Sequence, residues 1–208
     1  MIAVLVVGGA LIASLAIIRS SASTSGPASE WKGTAITPDR PRPDFVLTDL
    51  EGKPYDFRAR TAGTLTLLFF GYTNCPDICP IQMATLTGAL RTDPGLPATV
   101  VFVTTDPVRD TPDRLRTWLQ GFDHPVTALT GTPEQLVAAQ EAAGLQPAIA
   151  GPPRPDGSYD VGHAAQVLAV TPDDRIHVVY PFGVRREDWL DDLHRMLEVP
   201  EWQARSGS

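Results

Sequence analysis

Cys75 and Cys79 are the only two thiols in this 208-residue chain. They stand in the segment GYTNCPDICP, residues 71–80, directly after the uncharged residues 64–70. A thiolate both binds soft metal ions and attacks disulfides, so the pair offers two kinds of chemistry. A proline follows each cysteine and restricts the backbone beside it, which pre-positions the two sulfur atoms.

The elements on either side of the cysteines are predicted from local patterns. Residues 64–70 are rich in leucine, threonine and phenylalanine, which predicts a strand buried on both faces, as in a parallel sheet. A helix is predicted from about residue 80 to 91, and Pro80 suits its first turn. Cys79 is then near the positive end of the helix dipole, which favours its thiolate form. We therefore expect both thiols at the carboxyl end of a central strand.

The spacing of the pair leaves several functions open. Cys-x-x-Cys is typical of thioredoxin-type redox couples, whereas three residues separate these cysteines. Two thiolates alone are an incomplete metal site, and imidazole is the usual further ligand for copper or zinc. The alternatives are an inert or structural pair, a thiol–disulfide oxidoreductase, and a peroxidase in which Cys79 resolves Cys75. Against an oxidoreductase stands the absence of proline from residues 156–171, where thioredoxin folds normally place a cis-proline.

Composition restricts the classes of function. The chain is 43% hydrophobic, which fits one globular domain with accessory segments. Its formal net charge is −7, and no cluster of lysine and arginine occurs. These features argue against a nucleic-acid-binding surface.

The N-terminal region differs from the rest of the chain. Residues 2–18 carry no charge, which predicts a transmembrane anchor or signal segment over residues 1–19. A stretch rich in serine, threonine, glycine and proline follows, which predicts a flexible tether over 20–37. Arg19 alone would favour a cytoplasmic domain by the positive-inside rule. We instead expect the domain outside the cytoplasmic membrane, where a cysteine pair can be oxidised or metallated.

The rest of the chain alternates strands and helices, which predicts an α/β sheet with helices on its faces. A Pro/Gly-rich loop over residues 146–160 leads to His163, and its length suggests a functional role. The remaining predicted elements are a hairpin over 44–57, a strand over 99–104, a helix capped by Thr111, a strand over 126–129, a helix over 132–144, a hairpin of strands 166–170 and 175–180, and a helix over about 186–198.

Four segments together resemble one family. They are the segment around the cysteines, TDPVRDT over 105–111, YDVGH over 159–163 and YPFG over 180–183. In this form and order they are similar to the Sco/SenC family, membrane-tethered copper proteins that help assemble the binuclear copper centre of cytochrome c oxidase. The resemblance covers roughly residues 38–198. It implies a thioredoxin-like domain over 38–200, with a central mixed sheet flanked by helices, and a metallochaperone rather than an enzyme.

The resemblance also implies roles for particular residues. Cys75, Cys79 and His163 would be the copper ligands, and the two cysteines would also form a redox-active disulfide. Asp77 and Asp106 would either support the ligands or contact a partner protein. The partners implied are the copper-site subunit of cytochrome c oxidase and a copper donor protein.

Two positions depart from the family pattern, and three histidines fall outside it. Gly162 stands where an acidic residue is frequent and Asn74 where histidine is common, which affects the expected copper affinity but removes no ligand. His124, His177 and His194 are expected to be ordinary histidines, either exposed or paired within the fold.

Overall fold

The structure is a computed structural model and describes residues 31–204. The predicted anchor or signal segment, residues 1–19, and most of the predicted tether lie outside the described residues. Within 31–204, no helix has the length and apolar character needed to cross a membrane. Because residues 1–19 lie outside the described part of the chain, the N-terminal membrane segment stays a prediction.

Residues 31–204 form ten strands, five α-helices and a short 3-10 helix at Pro200–Trp202. The strands are β1 Thr34–Pro41, β2 Val46–Asp49, β3 Pro54–Asp56, β4 Leu65–Gly71, β5 Ala98–Thr104, β6 Val126–Thr130, β7 Ile149–Ala150, β8 Val161–Gly162, β9 Val167–Val170 and β10 Arg175–Tyr180. The helices are α1 Phe57–Thr61, α2 Ile78–Thr92, α3 Pro112–Leu119, α4 Pro133–Ala142 and α5 Arg186–Glu198.

Eight of these strands form one mixed sheet in the order β1-β10-β9-β4-β5-β6-β2-β3, while β7 and β8 form a separate two-stranded ribbon. Strands β4, β5 and β6 are parallel neighbours, and β9 pairs with β4 in the antiparallel sense. Every residue of β4 is buried, because each face of the strand packs into a different hydrophobic cluster. The predicted buried central strand, its parallel neighbour and the mixed α/β sheet are therefore confirmed.

Helix α2 begins directly after the cysteine turn. Asp77 caps it by accepting a hydrogen bond from the N–H of Ile78 at 2.6 Å, and Pro80 lies in its first turn as predicted. Its buried residues include Met83 and Leu86, which belong to the same core cluster as Trp189 of α5. Helix α2 is thus held between the sheet and α5, which fixes the direction in which its N-terminus points.

The N-terminal boundary of the folded domain differs from the sequence prediction. Strand β1 starts at Thr34, inside the predicted 20–37 tether rather than at residue 38, and pairs with β10. Before it, the Trp31 ring stacks on Trp202 at 5.0 Å. The sequence pattern did not predict this strand, because β1 is a half-exposed edge strand that contains two prolines, and central strands avoid proline.

Candidate metal centre

The two cysteines lie where β4 passes into α2, as predicted. Both are free thiols, and the Sγ of Cys75 accepts a hydrogen bond from the N–H of Cys79 at 3.3 Å. Cys75 is 8% exposed, whereas Cys79 is 0% exposed. The buried sulfur packs against the end of the strand, since a Cβ added at Gly71 would lie 3.1 Å from it. A side chain at position 71 would therefore crowd the Cys79 sulfur, and glycine avoids this contact.

His163 is distant from Cys79 in the sequence but lies beside it in the structure. Its Nε2 lies 3.3 Å from the Sγ of Cys79, across a separation of 84 residues. Its Nδ1 lies 3.0 Å from the carbonyl oxygen of Ala164, an arrangement in which Nδ1–H donates and the Nε2 lone pair faces the Cys79 sulfur. Burial lowers the pKa of His163, which favours the neutral imidazole that a metal ligand needs.

The three side chains satisfy the basic geometric requirement of a metal site. One ligand atom from each of Cys75, Cys79 and His163 lies within 4.8 Å of the other two, and no other such group occurs within residues 31–204. Metal–sulfur bonds of about 2.3 Å and metal–nitrogen bonds of about 2.0 Å would separate ligand atoms by roughly 3.5–4 Å. Small side-chain movements would therefore close the site around one ion. Two thiolates suit Cu(I), and added imidazole also suits Cu(II).

The ionisation of Cys79 differs from the sequence prediction. The helix dipole was expected to favour its thiolate, but burial raises the pKa of the Cys79 thiol and the nearby Cys75 adds to this effect. The prediction is wrong for the metal-free protein because a fully buried sulfur loses more solvation than the helix terminus replaces. A bound cation would supply that missing stabilisation, so ionisation of this thiol is coupled to metal binding.

A buried carboxylate that the sequence did not identify holds the cysteine turn. Asp110 accepts hydrogen bonds from the N–H of Thr73 at 3.1 Å and from the hydroxyl of Thr104 at 2.7 Å. Arg114 donates to the Thr73 hydroxyl at 3.1 Å and to the Asn74 side-chain oxygen at 3.1 Å. Asn74, the departure from the family pattern, is therefore part of this network. The only sequence clue was the second aspartate of TDPVRDT.

The two aspartates singled out from the sequence occupy different places. Asp77 is exposed and, besides capping α2, lines a cavity of about 310 Å³ together with Cys75 and His163. Asp106 is only 3% exposed and contacts none of the three predicted ligands through the hydrogen bonds of its carboxylate. Both oxygens of that carboxylate are engaged, one by Tyr159 and the other by Arg109.

The other three histidines do not join the site, as expected. His177 lies 2.9 Å from a carboxylate oxygen of Asp173 and stacks on a tryptophan ring. His194 lies 2.7 Å from a carboxylate oxygen of Asp93. His124 borders a small surface cavity, and burial lowers its pKa. None of them belongs to the group of convergent ligands.

Fold and site together define a class, the thioredoxin-like proteins in which a cysteine pair after a central strand meets a distant histidine. Within this class the chain belongs to the SCO1/SenC family, whose family model matches residues 34–198. That match begins at the first residue of β1 and ends at the last residue of α5.

Individual relatives agree with this membership. The mitochondrial protein SCO2 homolog of Bos taurus is 33% identical over 161 residues, a match that covers 74% of this chain and 59% of the relative. The structure of Bradyrhizobium japonicum ScoI with copper bound is similar with a TM-score of 0.66 and 29% identity, covering 74% of this chain and 98% of that one. The apo Sco1 protein of Thermus thermophilus gives a TM-score of 0.70 at 28% identity, covering 80% and 96%.

Proposed function

We propose that this protein is a copper-binding metallochaperone that assists assembly of the binuclear copper centre of cytochrome c oxidase. Copper would be held by Cys75, Cys79 and His163. The observation that carries the proposal is the convergence of these ligand atoms within 4.8 Å in a member of this family. The similar ScoI structure, which has copper bound, supports copper as the metal.

The unequal burial of the ligands suits a carrier that must release its cargo. Cys75 and His163 both line the cavity of about 310 Å³, whereas Cys79 is fully buried. Ligands of a partner protein would reach the metal from the cavity and replace Cys75 or His163 before Cys79. Asp77, exposed at the edge of the same cavity, is suitably placed to contact that partner.

The location and partners belong to the same proposal. A single N-terminal anchor over residues 1–19 would hold the domain at the cell membrane on its extracytoplasmic side. The uncharged residues 2–18 and the family resemblance support this arrangement. The recipient would be the copper-site subunit of cytochrome c oxidase, and a separate protein would donate the copper.

The proposed location can be tested with protease added to intact spheroplasts. Protease should digest the domain if it lies outside the membrane, whereas protection equal to that of a cytosolic marker would place it in the cytoplasm.

A thiol–disulfide oxidoreductase that reduces cysteines of a partner is the second candidate. Its support is that both thiols are free and that Cys75 lines an open cavity. Two features of the sequence count against it as the main activity. Three residues separate the cysteines, whereas two are typical of thioredoxin-type couples. Residues 156–171 contain no proline, although thioredoxin folds normally place a cis-proline there.

Metal analysis separates the candidates. The protein purified from the cell-envelope fraction of copper-supplied cells should contain about one copper per chain and should reduce insulin or peroxide only slowly. Copper bound in this stoichiometry with slow turnover supports the chaperone. Rapid, catalytic reduction of insulin or peroxide by a protein that retains no copper would instead identify an enzyme.

A further inference from the structure

His163 is carried by a segment that local structure holds only weakly. It follows β8, which pairs with β7 in a ribbon of two residues per strand. The two strands are connected by a loop over residues 151–160 that has no regular secondary structure. Two-stranded ribbons are marginally stable on their own, even when they are much longer than this one. Other contacts must therefore hold the imidazole in position.

Three side chains hold this loop against the end of β5, namely those of Asp106, Arg109 and Tyr159. The Tyr159 hydroxyl donates a hydrogen bond of 2.9 Å to Asp106, whose other carboxylate oxygen accepts one from Arg109. Arg109 also donates to the carbonyl oxygen of Tyr159 at 2.9 Å, and its guanidinium lies 3.6 Å from the centre of the Tyr159 ring. Tyr159 is thus held through its hydroxyl, its ring and its backbone at once.

A second tyrosine connects this cluster to the imidazole. The guanidinium of Arg109 lies 5.7 Å from the centre of the Tyr72 ring. The ring of Tyr72 meets His163 edge to face, with centroids 5.5 Å apart, and its hydroxyl accepts a hydrogen bond from the N–H of Val161 at 3.4 Å. Contacts therefore run from Asp106 to His163 both through these rings and through the backbone after Tyr159.

We propose that Asp106, Arg109 and Tyr159 form a clasp that positions His163 for copper. The inference rests on the proposed function, and it gives each member a positioning role rather than a ligand role. It also decides between the two roles predicted for Asp106. A carboxylate that is 3% exposed, with both oxygens engaged, supports the histidine segment from within and is not available to a partner protein.

The physical basis of the clasp is pre-organisation. Freeing the segment would let the imidazole sample positions away from the two sulfurs, and metal binding would then have to offset the lost conformational freedom. Removing hydrogen-bond partners that orient metal ligands typically lowers metal affinity about 10-fold to 100-fold. Cu(II) should be affected more than Cu(I), because the thiolate pair alone still suits Cu(I).

The experiment uses a graded pair of variants and a matched control. Tyr159→Phe removes only the hydroxyl bond to Asp106, whereas Tyr159→Ala also removes the ring beneath Arg109. Tyr180→Phe is the control, because the Tyr180 hydroxyl also donates to a buried carboxylate, that of Asp192, at 3.0 Å, but lies in β10 outside the site. Each protein is titrated with Cu(II) under reducing conditions that keep both thiols free, and amide hydrogen exchange is measured without metal.

The clasp predicts a graded loss. Cu(II) affinity should fall about 10-fold in Tyr159→Phe and further in Tyr159→Ala, and amide exchange should accelerate in residues 159–163 before any metal is added. Tyr180→Phe should lower thermal stability while keeping wild-type Cu(II) affinity. Wild-type affinity and exchange in both Tyr159 variants would overturn the clasp while leaving the proposed function intact. If the wild-type protein bound no copper, the proposed function would fail, and hydrogen exchange would still test the clasp.

Discussion

The proposed metal centre joins two segments that the fold holds in different ways. The cysteine segment, residues 71–80, connects the fully buried strand β4 to helix α2, which packs against α5. The histidine segment, residues 149–163, has a ribbon of two residues per strand and depends on side-chain contacts with the end of β5. Two of the proposed ligands thus lie in the core, while tertiary contacts bring the third to them.

Because of this difference, we expect the two segments to contribute differently to metal binding. Changes in the cysteine segment should disturb the core and remove all metal binding. Changes in the histidine segment should leave the fold intact and alter mainly the affinity and lifetime of the complex. The following predictions test that division, beginning with the largest expected effect.

Oxidation of the cysteine segment should abolish copper binding. A Cys75–Cys79 disulfide removes both thiolates, so neither Cu(I) nor Cu(II) retains a complete site, and bound copper must in turn favour the reduced protein. The test is to oxidise the protein, remove the oxidant and titrate with copper before and after adding a thiol reductant. Stoichiometric, His163-dependent binding by the oxidised protein would show that the cysteines are not ligands.

Loss of the histidine ligand should have a smaller and more selective effect. His163→Ala should weaken Cu(II) binding by more than about 100-fold, beyond the range typical for outer hydrogen-bond partners. Cu(I) binding should persist more weakly on the thiolate pair. Competition titrations with both ions measure the difference, and His124→Gln serves as a control outside the site. Equal Cu(II) affinity in His163→Ala and wild type would contradict the ligand assignment.

A glycine-to-alanine comparison places the same change in both segments. At Gly71 the new Cβ would lie 3.0 Å from Phe102 and 3.1 Å from the Cys79 sulfur, so we expect a loss of about 1–3 kcal/mol in unfolding free energy. At Gly162 the nearest atom is the Ile149 carbonyl oxygen at 3.8 Å, so the change should stay within about 0.5 kcal/mol. Chemical denaturation of the metal-free variants measures both values. Equal destabilisation would show that the segments are held alike.

The smallest effect is expected at the far end of α2, where His194 of α5 pairs with Asp93 just after the helix. The hydrogen bond to Asp93 raises the pKa of His194 above its usual value of 6.5. Because the folded pKa exceeds the unfolded one, the pair stabilises the fold fully below about pH 6.5, and this contribution disappears as the pH rises through the raised value. Melting curves should therefore separate His194→Gln from wild type at pH 5.5 but not at pH 9, with unchanged copper affinity. A constant difference at every pH would argue against this pairing.

Sequence patterns predicted the cysteine segment well because its determinants are local. An uncharged apolar run indicates a buried strand, and a proline in the first turn indicates where the next helix begins. The same kind of local evidence identified α3 and α4, since Thr111 and Thr132 cap them through their own side chains. The position of the thiol pair at the end of a central strand followed from these elements alone.

The tertiary structure decided what depends on residues far apart in the chain. The meeting of His163 with Cys79 spans 84 positions, and motif resemblance, not spacing, indicated it. Asp110 and Tyr159 both stand in segments that the sequence analysis singled out, but only the folded chain shows what their side chains contact. The pKa of Cys79 also belongs here, because a helix terminus is visible in a sequence but the complete burial of one sulfur is not. Local sequence determines backbone conformation, whereas desolvation and side-chain pairing arise only when distant segments pack together.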